Sequence, residues 1–117
     1  MTMETTPRFL NGTFPFEGRG LGSPMLLHPS LCYTVPADRR AQLIYFRAGH
    51  SADALVSLVL MRAGKPMRLF PLGAKGAMHV PLAVVEDLFP ETPLELHIAA
   101  PPGVSGEVVV DIGLMEI

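Results

Sequence analysis

The residues in this chain best able to do chemistry are His28, His50, His79 and His97, the single cysteine Cys32, and seven methionines. All are soft or borderline metal ligands. A preformed metal site shows close spacing, such as His-x-His on one strand face or a Cys-x-x-Cys pair, and neither occurs. The blue-copper order, Cys followed shortly by His and Met near the C-terminus, is missing because Cys32 lies early. The expectation is scattered histidines, no metal and no cofactor. Met61, Met67, Met78 and Met115 fall on β segments and read as adaptable core or interface filler.

Nucleophilic catalysis needs Ser or Cys beside a base and an orienting group. No Gly-x-Ser-x-Gly elbow is present. Cys32 lies in an apolar strand between Leu31 and Tyr33, so a buried, inert thiol is expected. Glu86, Asp87 and Glu91 share one polar loop and read as a solvated turn. Glycosidase chemistry needs a longer cleft than a domain of this size offers. Gly18-x-Gly20-x-Gly22 lacks the spacing and flanks of a dinucleotide loop and reads as flexible chain. No catalytic residue is expected.

One constellation remains. In an antiparallel sandwich, successive connections alternate between the two ends. Loops 48–53, 73–77 and 101–106 should therefore share one end. Arg47, His50, Asp53, Lys75 and His79 would gather there, beside glycines that let backbone approach a ligand. Mixed cationic and imidazole groups suit an anion, a carboxylate or a sugar hydroxyl. Asp38, Arg39, Arg40, Arg62, Lys65, Glu86, Asp87 and Glu91 would collect at the opposite end.

The elements that position these groups are β-strands. After residue 30 the chain breaks into short β runs bounded by turn residues. Strands are predicted over 31–35, 41–48, 54–62, 67–72, 78–85, 94–100 and 107–117. On 41–48, Leu43, Tyr45 and Arg47 would share one face, Ile44 and Phe46 the other. Residues 54–62 are apolar on both faces, as a central strand between two layers requires. Ala63-Gly64 makes a tight connection. Pro66 and Pro71 lack N–H groups and mark 67–72 as an edge. A helical turn fits only at 84–88, stopped by Pro90. Residues 1–30 carry turn chemistry at Asn11-Gly12 and across 17–24. Phe14 and Phe16 would share one face, laid across something apolar. The predicted fold is all-β: a two-layer antiparallel β-sandwich of seven or eight strands over 31–117, preceded by an irregular N-terminal arm over 1–30. Strand spacing fits jelly-roll and immunoglobulin-like topologies alike.

Composition bounds the partners. A chain of 117 residues and 12.6 kDa should expose ~6,200 Å² when folded against ~18,000 Å² unfolded, enough burial for a core without disulfides or metal. A net charge of −2 and a pI near 6.0 leave no basic excess to hold nucleic acid. The longest apolar stretch, 54–61, is interrupted by Ser57 and closed by Arg62, far short of the ~20 residues of a spanning helix. No basic n-region followed by an apolar h-region opens the chain, so no membrane association and a cytoplasmic location are expected. Arginine dominates over Lys65 and Lys75, which suggests a GC-rich bacterial source. Charged residues are only 17% and hydrophobic ones 49%, with a mean hydropathy of +0.35, against roughly 25% charged in a typical domain. Apolar surface is therefore exposed or covered by a partner. Second-face residues Met67, Leu69, Ala83, Val85, Val109 and Met115, with Phe9, Phe14 and Phe16, could supply the ~800 Å² per partner of a stable interface.

The closing run Glu107-Val-Val-Val-Asp-Ile-Gly-Leu-Met-Glu-Ile117 resembles the last strand of galactose-binding-like and carbohydrate-binding jelly rolls, which often end in an apolar alternation carrying one acid. The preceding strand and Pro-Gly loop, 94–106, fit the same outline. The resemblance implies a jelly-roll fold and carries no site residue. Tryptophan, frequent on the ligand platforms of that family, is absent. The leading functional expectation is a non-catalytic module or subunit acting by association, as a homo-oligomer or with a larger protein partner. The alternative is a ligand-binding sandwich that uses the Arg47, His50 and Lys75 end. A small cupin-like metalloenzyme ranks third, since its His-x-His signature is missing.

Overall fold

A computed structural model of the chain describes residues 4–117, and the backbone path alone over 82–86. Strand β1 (Thr6–Glu17) opens the fold, followed by β2 (Met25–Leu26), a single 3-10 turn (Pro29–Leu31) and β3 (Cys32–Thr34). The long strands β4 (Ala41–His50), β5 (Val56–Arg62), β6 (Lys65–Leu72), β7 (Ala77–Leu88), β8 (Pro93–Ala99) and β9 (Ser105–Glu116) complete it. One sheet has the order β1-β9-β4-β7. The other runs β2-β8-β5-β6, with β3 also on β8. Every pairing is antiparallel. The folded surface is 6403 Å², close to the value expected from size. Among the described residues, no helix is long and apolar enough to cross a membrane.

Alternation places the core. Leu43, Phe46 and Ala48 of β4, Val108, Val110 and Ile112 of β9, and Leu58 and Leu60 of β5 point between the sheets and are almost fully buried. Phe46 stacks on Phe70 of β6 across the two layers, with ring centroids 3.9 Å apart and planes within 6°. β5 lies between β8 and β6, central within its sheet, but one sheet alone packs against it, so it is not the strand between two layers that its two apolar faces suggested; β6 with its two prolines is a sheet edge. Ala63 and Gly64 join β5 to β6 with φ values of 51° and 78°. Two consecutive positive φ angles make the hairpin turn whose twist matches that of the flanking strands.

The sequence expectations differ from the structure in several places. Thr6–Glu17, within the stretch expected to be an irregular arm, is a strand paired with β9 along its whole length. Asn11-Gly12 reads as turn chemistry, but an edge strand tolerates glycine there, and proline at Pro15, because one side of its ladder is unpaired. Phe14 and Phe16 are therefore core residues, not interface residues. The turn expected at 84–88 is strand. Leu43 does not share a face with Tyr45, because a bulge at Ile44 shifts the register against β9 and returns the next residue to the outer face. Of the residues expected on second faces, Ala83 and Val85 lie outside the described side chains, as does Glu86.

A buried polar clasp ties the sheets together at one end. Glu116, 2% exposed, accepts from the Tyr33 hydroxyl at 2.5 Å and pairs with Arg8 Nε at 3.1 Å. Tyr33 belongs to one sheet, Glu116 and Arg8 to the other. The Tyr33 bond, opposed by burial and aided by Arg8, holds the Glu116 carboxyl below its ordinary pKa. Burial, then that same bond, pushes the Tyr33 hydroxyl well up.

Candidate functional site

The outer face of the β1-β9-β4-β7 sheet carries a row of polar side chains in register. Asn11 of β1 stands opposite Asp111 of β9, Asp111 opposite Arg47 of β4, and Arg47 opposite His79 of β7. The next row toward the Tyr33 clasp reads Phe9, Gly113, Tyr45, Pro81, and the row on the other side reads Thr13, Val109, Gly49, Ala77. Period-two alternation puts the three rows on one surface. The apolar residues between them face the core.

Asp111 organises the row. Arg47 Nη2 donates to Asp111 Oδ2, and the Tyr45 hydroxyl donates to Asp111 Oδ1 at 3.0 Å. The Arg47 bond is the main reason the carboxyl sits below its ordinary pKa, with the Tyr45 and Asn11 side chains adding to it against partial desolvation. Asp111 is therefore a carboxylate at neutral pH. The same bond raises Arg47. Partial burial, then Asp111, raises the Tyr45 hydroxyl, which stays a donor. The Arg47 guanidinium lies 5.3 Å from the Tyr45 ring centroid, and His79 meets that ring edge-on at 6.3 Å. Beneath the ring is Gly113, where a Cβ would come within 2.0 Å of Tyr45 Cε2. Only glycine lets the ring lie down on β9.

Beside the polar row runs a shallow trough of about 440 Å³. Gly49 and Ala77 lie along it, and Arg47, Asp111, Met78 and Val109 are among the residues that line it. That volume falls within the ~300–1,000 Å³ typical of small-ligand sites. Val109 and Phe9, 53% and 57% exposed, stand free on the same face. A smaller hollow of about 130 Å³ lies between β1 and β2, lined by Phe16, Glu17, Arg19, Met25 and Ile98 among others.

Of the five residues expected at a ligand-binding end, Arg47 and His79 come together on this face. His50, 8% exposed, turns inward. Its Nδ1 accepts from the Ala52 amide at 3.2 Å, so its Nε2 donates to the Gly73 carbonyl at 2.6 Å. Both ring nitrogens are occupied in joining loops 51–55 and 73–76. Asp53 and Lys75 are exposed on those loops, and the Lys75 amide bonds the Ala52 carbonyl at 2.8 Å. The loops share one end of the sandwich, as strand alternation requires. Tyr45, Asp111 and Asn11 were not singled out as site residues. Their signals are the middle acid of an otherwise apolar closing strand, a tyrosine two residues from Arg47, and the only asparagine.

Cys32 is exposed, not buried, because β3 pairs only with β8 and turns the thiol to the outer face. Its Sγ lies 3.8 Å from Glu95 Oε2, and Glu95 Oε1 lies 3.1 Å from His97 Nε2. Partial burial, then the Glu95 charge, raises the thiol above its ordinary pKa, the wrong direction for a nucleophile. Among the described residues, no three His, Cys, Asp or Glu side chains converge as metal ligands.

No family model and no curated protein matches the chain. Among solved structures it is similar to the CBM36-1 domain of a multidomain xylanase from the hindgut metagenome of Trinervitermes trinervoides. The TM-score is 0.55 at 12% identity, covering 94% of this chain and 96% of that one. At that identity the likeness is one of fold: this chain is an all-β, two-layer antiparallel sandwich of the jelly-roll kind seen in carbohydrate-binding modules.

Proposed function

We propose that the protein is a non-catalytic binding module that holds a carbohydrate on the outer face of the β1-β9-β4-β7 sheet. The observation that carries this reading is the Asn11–Asp111–Arg47–His79 row, set between an aromatic strip and a trough floored by small residues. A pyranose has apolar C–H faces and a rim of hydroxyls. Phe9 and Tyr45 offer ring surface for the first. Arg47 offers spare donors and Asp111 acceptor capacity for the second. A catalytic role finds no support in this row. A general acid needs a carboxyl kept protonated, whereas Arg47 keeps Asp111 ionised. Likeness of fold to a domain titled as a carbohydrate-binding module of a xylanase agrees with the reading.

Affinity electrophoresis and calorimetry against soluble glucans, xylans, mannans and galactans test it. The expected result is retention by at least one polymer, lost in Tyr45→Ala while the β-sheet circular dichroism is unchanged. Binding that survives both Tyr45→Ala and Arg47→Ala would place the ligand elsewhere and remove this reading.

A second reading, association with another copy or a larger partner, is favoured by Leu69, which stands 65% exposed on the outer face of the other sheet, next to β5. Light scattering at micromolar concentration decides it. A mass above 12.6 kDa that falls on Leu69→Lys supports self-association, and a clean monomer with no partner recovered opposes it.

A further inference from the structure

We infer that the ligand of this face is an uncharged glycan, and that Arg47 serves hydroxyl groups and does not act as an anion receptor. The inference rests on the binding reading above and specifies its substrate class. Arg47 is the one cation borne by the described outer-face positions of this sheet, and it is already paired with Asp111. Two further carboxylates share the surface. Glu107 is exposed four residues before Asp111 on β9, on the same face by strand alternation. Asp87 of β7 lies opposite Gln42, accepts from its amide at 3.1 Å, and is paired with Arg40 at 3.3 Å. With the Arg47–Asp111 and Arg40–Asp87 pairs set aside, Glu107 leaves the sheet face with negative charge in excess. Lys75 belongs to the end loops, not to the sheet face.

An anionic glycan long enough to run along β9 from the row to Glu107 would meet one satisfied cation and a second, unpaired carboxylate. A neutral sugar meets neither penalty. It finds a carboxylate whose position Tyr45 and Arg47 fix, which accepts a hydroxyl without rearrangement, and a guanidinium with unused N–H groups. A single like-charge contact at ~4 Å in water is enough for roughly a fivefold preference. Because the effect is electrostatic on an exposed face, salt should erode it.

The test is calorimetry of the full chain with neutral hexasaccharides (cellohexaose, xylohexaose, mannohexaose) and with hexagalacturonate, each at low and high salt. At least one neutral probe is expected to bind about fivefold or more tightly than the uronate, with neutral affinity indifferent to salt and uronate affinity rising with it. Asp111→Asn keeps an acceptor for Tyr45, removes the charge, and should move the ratio toward the uronate by about fivefold. Glu107→Gln, on an exposed side chain with little bearing on folding, should move it the same way by less. Uronate binding tighter than every neutral probe, and weakened by salt, overturns the inference and leaves the binding reading standing. A ratio that moves in neither variant also overturns it. No binding of any probe, alike for the wild type and Tyr45→Ala, overturns both.

Discussion

Gly113→Ala is the substitution on which the platform depends most directly. A Cβ at this position would sit 2.0 Å from Tyr45 Cε2, 2.6 Å from Cδ2 and 2.7 Å from Cζ. Ordinary contact begins at 3.4 Å, so the ring must retreat by about 1.4 Å, the difference of those distances. The backbone of β9 is held by β1 on one side and β4 on the other, so the tyrosine moves and the sheet does not. Its hydroxyl, 3.0 Å from Asp111 Oδ1, leaves hydrogen-bond range. Loss of a bond to a charged group on a half-exposed surface costs ~1.5 kcal/mol. Replacing a strand glycine by alanine returns ~0.5–1 kcal/mol. The net fall in stability is about 1 kcal/mol or less, or roughly 4 °C in Tm. Ligand affinity should fall further, since a displaced ring forfeits ~1–2 kcal/mol of stacking, roughly 5- to 30-fold in Kd. Thermal melts and calorimetry measure the two effects. The double variant Tyr45→Phe/Gly113→Ala separates them, because without the hydroxyl the alanine should cost little stability. Gly113→Ala that leaves both the near-ultraviolet tyrosine signal and glycan affinity at wild-type values would refute the placement of the ring and the role given to it.

Three further outcomes are expected. Tyr33→Phe leaves the buried Glu116 with Arg8 alone and should cost ~2 kcal/mol at neutral pH. The Glu116 carboxyl is depressed in the folded state, mainly by Tyr33, so its stabilisation is present above the ordinary carboxylate range and lost as pH falls through the lower folded value. The deficit of the variant in thermal melts should narrow in acid, and an equal deficit at both pH extremes counts against the coupling. His50→Ala removes the bonds to the Gly73 carbonyl and the Ala52 amide. It should lower stability by ~2 kcal/mol and speed hydrogen exchange at Ala52, and unchanged exchange would deny the latch. Cys32, although exposed, should alkylate more slowly at neutral pH than an unperturbed thiol, because partial burial and Glu95 raise it. Glu95→Gln should speed the reaction, and no change would remove Glu95 from the cause.

The β architecture was legible because its signals are local. Alternation in 94–100 and 107–117, the prolines at 66 and 71, and Ala63-Gly64 each carry one physical constraint, and each has the predicted consequence; the apolar run of 54–62 is a strand interior to its sheet, though not one between two layers. What failed was local too. Asn11-Gly12 is strong turn chemistry in isolation, yet Gly12 keeps its place opposite Val110 in β1 at a φ of 151°, a value glycine adopts readily and other residues rarely do. The twelve residues of β9 beside it outweigh the local preference. Sequence shows turn propensity but not the partner strand that overrides it.

The site was half legible for a reason specific to sheets. Reasoning from loops brings together groups at the ends of strands, and it correctly placed Asp53 and Lys75 near one another in the fold. The candidate face in mid-sheet is assembled by register instead. Asn11, Asp111, Arg47 and His79 come from four strands spread over most of the chain and meet because the pairings offset them to the same level. A one-residue slip sends each side chain to the opposite face. The bulge at Ile44 is such a slip, built into β4 and placed just before Tyr45. It lets Leu43 fill the core on one side of the bulge while Tyr45 and Arg47 stand outward on the other. Unbroken alternation from Leu43 would have put all three on one face, with either Leu43 exposed or Tyr45 and Arg47 buried. The bulge absorbs Ile44, so deleting that residue should leave a regular ladder against β9 with Leu43 still inward and Tyr45 and Arg47 still outward; glycan binding should survive the deletion, and its loss with the sheet intact would show that the bulge itself shapes the platform.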